Sequence, residues 1–334
     1  MKGPKAIALL SGGLDSILAV KLMLDLGFEV IALNMKTPFC TCDSKDVCYS
    51  QLTAEKLDIP LRRIYGGEEY LEMVKNPRHG YGKNMNPCLD CRVFLFKKAK
   101  QLMEQEGAEF IFTGEVLGER PMSQRRDAMN LIERESGLKG RVLRPLSAGL
   151  LEPTLMEKEG LVDRDKLLSI QGRSRKPQLA LAEKHRIDYF PCPAGGCLLT
   201  DPAFAARLKE SIDHGEDSAR HLTLLKLGRH FRIPSGAKII AGRDKGENEA
   251  LMGLAREEEP KFTAHEQKST YVLLLGDHRG EDRTLAARVC ARYSDGKDAG
   301  EVSVRMWLDS PSEFQLLKVS PLEEALLSRF RVGG

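Results

Sequence analysis

Ser11-Gly12-Gly13-Leu14-Asp15-Ser16 sits between a short apolar run, Ala6-Ile7-Ala8-Leu9-Leu10, and a segment with helical spacing. The apolar run reads as a strand buried on both faces, as in a parallel sheet. Ile17, Val20 and Leu24, with Leu22 and Leu26, carry the helical pattern, and Gly27 supplies its C-terminal stop. A strand, a glycine turn and a helix start together make an anion site, because unpaired N–H groups and the positive end of the helix dipole point the same way. Gly12 and Gly13 let backbone approach a phosphate, and the hydroxyls of Ser11 and Ser16 add donors. No lysine follows the glycines, which excludes the Walker A loop.

Working outward, residues 30–34 form a second strand, residues 47–57 a helix and residues 61–65 a third strand. That β-α-β-α-β alternation predicts an α/β fold with a doubly wound parallel sheet, with ligands at the carboxyl ends of its strands. Residues 76–87, rich in glycine and asparagine, read as a mobile loop bordering the site. A basic helix over residues 94–103 and a strand over residues 110–113 follow, ending at Gly114-Glu115.

The Ser-Gly-Gly-x-Asp-Ser motif after a first strand resembles the PP-loop of the ATP pyrophosphatases, the adenine nucleotide alpha hydrolase-like fold. The resemblance implies cleavage of ATP between its α and β phosphates and transfer of AMP to a substrate oxygen. It places pyrophosphate on Ser11, Gly12, Gly13 and Ser16, with Gly114 at the nucleotide edge, and Asp15 close to Mg²⁺.

Composition sets the remaining bounds. The 334 residues suffice for two domains, and 42% apolar content supports packed cores. A net charge of +3 is too small to demand a polyanionic partner, so local basic clusters must carry that reading. No apolar run of membrane-spanning length occurs and the first strand starts at once, so the expectation is a cytoplasmic protein with no membrane partner. In that compartment eight cysteines suggest metal or catalytic chemistry rather than disulfides.

Cys88 and Cys91 lie three residues apart at a helix start and project to one side. The helix dipole with Arg92, Lys97 and Lys98 would favour thiolates there. Cys192 and Cys197 flank a turn rich in proline and glycine, while Cys40, Cys42 and Cys48 lie in or beside the loop after the second strand, with no assignable metal spacing. Asn86-Pro87-Cys88-Leu89-Asp90-Cys91, then a basic helix, an apolar strand and Thr113-Gly114, resembles the tRNA-uridine sulfurtransferases. Those enzymes carry Asp-x-x-Cys; here Cys91 matches the catalytic cysteine and Cys88 replaces the aspartate. The departure resembles related tRNA thiolases in which a Cys-x-x-Cys pair and one distant cysteine hold a [4Fe–4S] cluster. The resemblance implies Cys88, Cys91 and Cys197 as ligands, with all three, together with Asp15, also catalytic. A persulfide route without iron stays open, since C-x-x-C is also a redox-dithiol spacing.

Residues 120–126 and 171–176 are basic stretches interspersed with serine and glutamine, a composition that suits phosphate and sugar contacts. A helix ending at Ile212 closes a first domain of residues 1–212, and residues 214–219 read as a linker. Residues 220–334 read as a second, smaller α/β domain carrying Lys226, Arg229 and Arg232 as RNA-gripping candidates. Gly242-Arg243-Asp244 with Glu247-Asn248-Glu249 resembles the RNA-binding domain of NFACT proteins; packing or a homodimer contact are the alternatives.

The expected activity is ATP-dependent thiolation of a tRNA uridine, with 4-thiouridine favoured over 2-thiouridine. No rhodanese-like or THUMP-like segment is visible, so sulfur is expected from an external donor, sulfide or a persulfide-carrying protein. The competing readings are a PP-loop pyrophosphatase acting on a small molecule and a non-catalytic iron–sulfur RNA-binding protein.

Overall fold

A computed structural model describes residues 3–40, 48–191 and 197–334. The chain divides into two compact units, residues 1–200 and 201–334.

In the first unit the described strands are β1 (Lys5–Leu9), β2 (Glu29–Lys36), β3 (Leu61–Tyr65), β4 (Phe110–Thr113) and β5 (Val142–Leu143). They form one parallel sheet in the order β3-β2-β1-β4-β5. Between and after them come α1 (Leu14–Asp25), α2 (Tyr49–Lys56), α3 (Glu68–Lys75), α4 (Cys88–Glu106), α5 (Arg126–Ser136), α6 (Leu155–Lys158) and α7 (Lys176–Lys184). Alternation along β1 explains the double winding. Ala6 and Ala8 face a core with Ile17, Val20 and Ala182 of α1 and α7, whereas Ile7 and Leu9 face Val93, Phe96 and Ile132 of α4 and α5. The strand order reverses at β1, so the loops after β1 and β4 diverge around a crevice where ligands bind in such sheets.

The second unit begins with α8 (Pro202–Asp213), so the division falls at Thr200 and not after Ile212. The reason is electrostatic: Glu210 on α8 is bonded by Arg232 and Lys238 of the following strands. Then follow α9 (Ala219–Leu224), β6 (Arg229–Arg232), β7 (Lys238–Ala241), α10 (Lys245–Leu254), β8 (Lys261–Ala264), β9 (Val272–Leu275), α11 (Gly280–Arg292), β10 (Val302–Trp307), β11 (Gln315–Val319), α12 (Glu324–Phe330) and β12 (Arg331–Val332). The strands pair in the order β11-β10-β8-β9-β7-β6-β12, antiparallel throughout. Ile239 and Leu274 pack toward α11, and Ile240 and Leu273 toward Leu224 and Leu251 of α9 and α10. Both faces are therefore covered. The sequence shows strands only over residues 237–241, 271–275 and 302–308 of this unit; β6, β8, β11 and β12 escape that reading because they are short and carry several polar residues.

Candidate active site

The phosphate loop is built as its residue types require. Gly12 holds φ +83°, and a Cβ there would lie 2.7 Å from the Ser50 amide nitrogen, so any other residue would push α2 away. Gly13 precedes α1 without a side-chain cap, which leaves the first-turn N–H groups to a ligand. Ser16 Oγ donates to the Gly13 carbonyl at 2.7 Å and lies 3.2 Å from Ser11 Oγ, so the two hydroxyls brace the turn. Gly114 lets the loop after β4 reach the phosphate loop, since a Cβ on it would stand 2.4 Å from the Asp15 carbonyl carbon and the Ser16 nitrogen.

Asp15 stands at the meeting of these loops, and its Oδ1 is buried with no donor. Burial raises its pKa, only partly offset by Arg175, Gln178 and Arg120. Glu119 is raised too, by burial and by the Asp15 charge. Two neighbouring carboxylates pushed upward, one with an orphaned oxygen, suit a divalent cation. Asp15 and Glu119 would be the oxygen donors to a divalent cation at this point. Asn34 at the end of β2 donates to the Leu10 carbonyl at 2.8 Å and keeps a buried Oδ1 without a donor.

Cysteines gather beside this crevice. Cys88 and Cys91 open α4, and Cys40 pairs through its backbone with Cys197 as an isolated antiparallel bridge. Cys197, Cys91, Cys88 and Cys40 act on one another electrostatically, so the four share one region. Cys40 was not distinguishable from Cys42 and Cys48 by spacing; the bridge to Cys197 is what selects it. Cys48 stays apart, lying 3.3 Å from Ser50 Oγ and facing Arg63. Cys42 and Cys192, with Gly195 and Gly196, lie outside the described residues.

The expected thiolate activation does not hold. Burial raises the pKa of Cys88 and Cys91 above the usual thiol value, against Arg92, and raises Cys197 to about 12. Lys98 is engaged elsewhere, with Glu69 at 2.8 Å and over the Phe94 ring. Burial defeats the dipole because α4 starts inside the protein. Tyr70, 2% exposed and packed between Phe39 and Phe94, donates its hydroxyl to Cys91 Sγ at 3.3 Å. Gly66 makes room for that ring.

Among the described residues, no group of three cysteine, histidine or acidic side chains is close enough to hold one metal ion.

The loop of residues 76–87 is pinned rather than mobile: Asp90, buried at the start of α4, accepts from the Arg78 and His79 amides at 3.1 and 3.0 Å. Tyr81 Oη donates to the Val74 carbonyl at 2.7 Å. Arg92 and Arg144 converge on buried Glu115, at 3.5 and 3.0 Å. Burial raises the Glu115 pKa, but the two guanidiniums outweigh it and hold the carboxyl below its usual range. This tie joins the cysteine helix to the loop after β4.

In the second unit Arg229 and Arg232 are not offered to solvent. Arg229 stacks 4.5 Å above the Tyr293 ring and donates to the Gly242 carbonyl. Arg232 holds Glu210 and Glu216. The Gly242-to-Glu249 motif is also architectural: Asn248 Oδ1 accepts from the Tyr271 amide at 3.0 Å, and Glu247 accepts from the Gly228 amide at 3.1 Å. The exposed cations around that turn are Lys226, Arg243 and Lys245.

Residues 2–150 match the family described as thiamine biosynthesis protein (ThiI), and residues 228–331 match the NFACT protein RNA binding domain. A probable tRNA sulfurtransferase of Thermococcus kodakarensis is 29% identical over 178 residues, covering 52% of this chain and 43% of that protein. The tRNA-specific 2-thiouridylase MnmA of Leptospira interrogans is 29% identical over 135 residues, 34% of each. Among solved structures, a 4-thiouridine synthetase–RNA complex with bound ATP is 21% identical with a TM-score of 0.35, covering 67% of this chain and 52% of that one. The chain spans less than half the length of these two curated relatives. The first unit is thus similar to the PP-loop sulfurtransferases and the second to the NFACT RNA-binding domain.

Proposed function

We propose that this chain thiolates a uridine in tRNA at the expense of ATP, with C4 of the base as the preferred position. One observation carries the reading: Gly114 packs directly against Asp15 and Ser16, and its neighbour Glu115 lies 3.5 Å from Arg92, the residue after Cys91, so the loop after β4 joins the phosphate loop to the cysteine helix. A nucleotide site beside a set of thiols is what adenylation followed by sulfur transfer needs.

The uridine carbonyl oxygen attacks the α-phosphorus of ATP, and the bond to the β-phosphate breaks to release pyrophosphate. The N–H groups at the start of α1 stabilise the charge that accumulates there. Mg²⁺ held by Asp15 and Glu119 would neutralise the leaving pyrophosphate. Sulfur then attacks the activated carbon and AMP departs with its oxygen. Cys88, Cys91 and Cys197 would hold an iron–sulfur cluster, which when bound supplies the sulfur-carrying chemistry. A persulfide carried on one of these thiols is the second reading, and iron-free protein that thiolates tRNA at the full rate would favour it. The sulfur itself comes from an external donor, sulfide or a persulfide-carrying protein.

RNA binding is assigned to the second unit, with Lys226 and Lys245 as the phosphate contacts in place of Arg229 and Arg232.

The test is thiolation of unmodified tRNA by anaerobically reconstituted protein with ATP, Mg²⁺ and sulfide, followed by nucleoside analysis. 4-Thiouridine made only with tRNA and ATP together supports the proposal. Pyrophosphate release that ignores tRNA would sink it and favour a small-molecule substrate.

A further inference from the structure

Asp15 is not the only polar group at the crevice that lacks a partner. Gln178, in the first turn of α7, is 0% exposed, and neither its amide nitrogen nor its amide oxygen has a hydrogen-bond partner. Arg175, the residue before α7, has a buried Nε in the same condition. Such groups are normally satisfied when taken out of water, because desolvation without a bond is costly. Both side chains lie close enough to Asp15 to act on its carboxylate. The Gln178 amide is thus turned to the Asp15 carboxylate, and Asp15 Oδ1, Gln178 Oε1 and Arg175 Nε, all buried and without a partner, come together from two chain segments far apart in sequence.

The backbone holds this arrangement in place. The Gly172 amide donates to the Leu117 carbonyl at 2.7 Å, and Gln171 bridges Leu117, so the approach to α7 is laced to the loop after β4. Ser147, fully buried, accepts from the Leu117 amide at 3.0 Å and donates to the Ile170 carbonyl at 2.6 Å. Helix α7 packs on α1 through Ala182 and the Ile17 side of the core. The start of α7 is therefore fixed opposite the start of α1.

We propose that Arg175 and Gln178 form the second wall of the triphosphate site, with the Arg175 guanidinium and the Gln178 amide binding the pyrophosphate portion of ATP across from the Ser11–Ser16 loop. A guanidinium fork matches two phosphate oxygens, and the amide nitrogen supplies a further donor. The dipole at the start of α7 points the same way. Both residues lie beyond residues 2–150, the stretch that the PP-loop sulfurtransferase family matches. The inference rests on reading the Ser11–Ser16 loop as an ATP site.

The test is equilibrium binding of inorganic pyrophosphate, ATP and AMP to the full chain in Mg²⁺. Arg175→Ala should weaken pyrophosphate and ATP by about 10- to 100-fold, the worth of a charge-assisted bond, and leave AMP within about twofold. Arg175→Lys should recover part of the loss, and Gln178→Leu should lose about 3- to 10-fold. Unchanged pyrophosphate and ATP affinity in Arg175→Ala would overturn the inference while the ATP site stands. Equal losses of AMP and pyrophosphate would also overturn it, since they report a disturbed fold. Failure of the unaltered protein to bind ATP or pyrophosphate would overturn the ATP reading together with the inference.

Discussion

Asp15 in the first unit and Glu210 in the second are both partly buried carboxylates, but their surroundings differ. Glu210 is bonded by Arg232 and by Lys238, which also contacts Glu216 at 3.3 Å, and its pKa is lowered although burial alone would raise it. Asp15 has one oxygen with no donor, and burial keeps its pKa raised. A buried charge with internal partners is part of the architecture; one left without them costs stability that only a ligand recovers. The same contrast separates Arg232, held by two glutamates, from Arg175, whose Nε has no partner. Basic residues in sequence thus become fold or site according to what the tertiary structure sets against them.

The comparison is broken most severely at Lys238, which is 2% exposed. Lys238→Met should destabilise the second unit by about 3 kcal/mol, because it strands two glutamates on one arginine. Chemical denaturation followed by fluorescence of Trp307 checks this, and a midpoint equal to that of the unaltered protein would count against it.

Acid acts on the same unit. His230 is buried, its pKa lowered to about 3 by burial and then by Lys238 and Arg207. Below pH 6.5 the unfolded chain takes up a proton there that the folded chain refuses, so stability falls with pH from 6.5 toward 3 at up to about 1.4 kcal/mol per unit. Glu210 and Glu216, with folded values below 4.5, add loss in the same direction from about pH 4.5 downward. His230→Leu should flatten the slope between pH 6.5 and 4.5; an unaltered slope would show that the imidazole is not the group.

Asp15→Asn sharpens the contrast with the opposite sign. Removing a buried carboxylate with one oxygen left without a donor should leave the first unit unchanged or more stable by up to about 1 kcal/mol, while the proposed tRNA-stimulated pyrophosphate release is lost. A marked drop in melting temperature would mean that Asp15 serves the fold. The smallest effect is expected at Tyr70. Tyr70→Phe deletes the donor to Cys91 Sγ, worth about 1 kcal/mol, and should slow alkylation of Cys91 by about threefold to tenfold at pH 8. Mass-spectrometric labelling reads this site by site.

Much of this arrangement was legible along the chain. The strand at residues 5–9, the Ser11–Ser16 loop and helix α1 follow from a local apolar pattern and two glycines, whose conformational demands act over a few residues. So does the placement of Cys88 and Cys91 at a helix start. What the sequence could not convey depends on sheet order and burial. Cys40 joins Cys197 only because two distant loops pair as a bridge. The cysteines prove hard to ionise because their helix begins in the interior, where desolvation exceeds the dipole. Arg175 and Gln178 meet Asp15 only because α7 packs on α1, and Arg229 and Arg232 turn inward because Tyr293, Glu210 and Glu216 await them. Local pattern dictates which elements form, whereas the charge state and partners of each side chain are set by packing between segments remote in sequence.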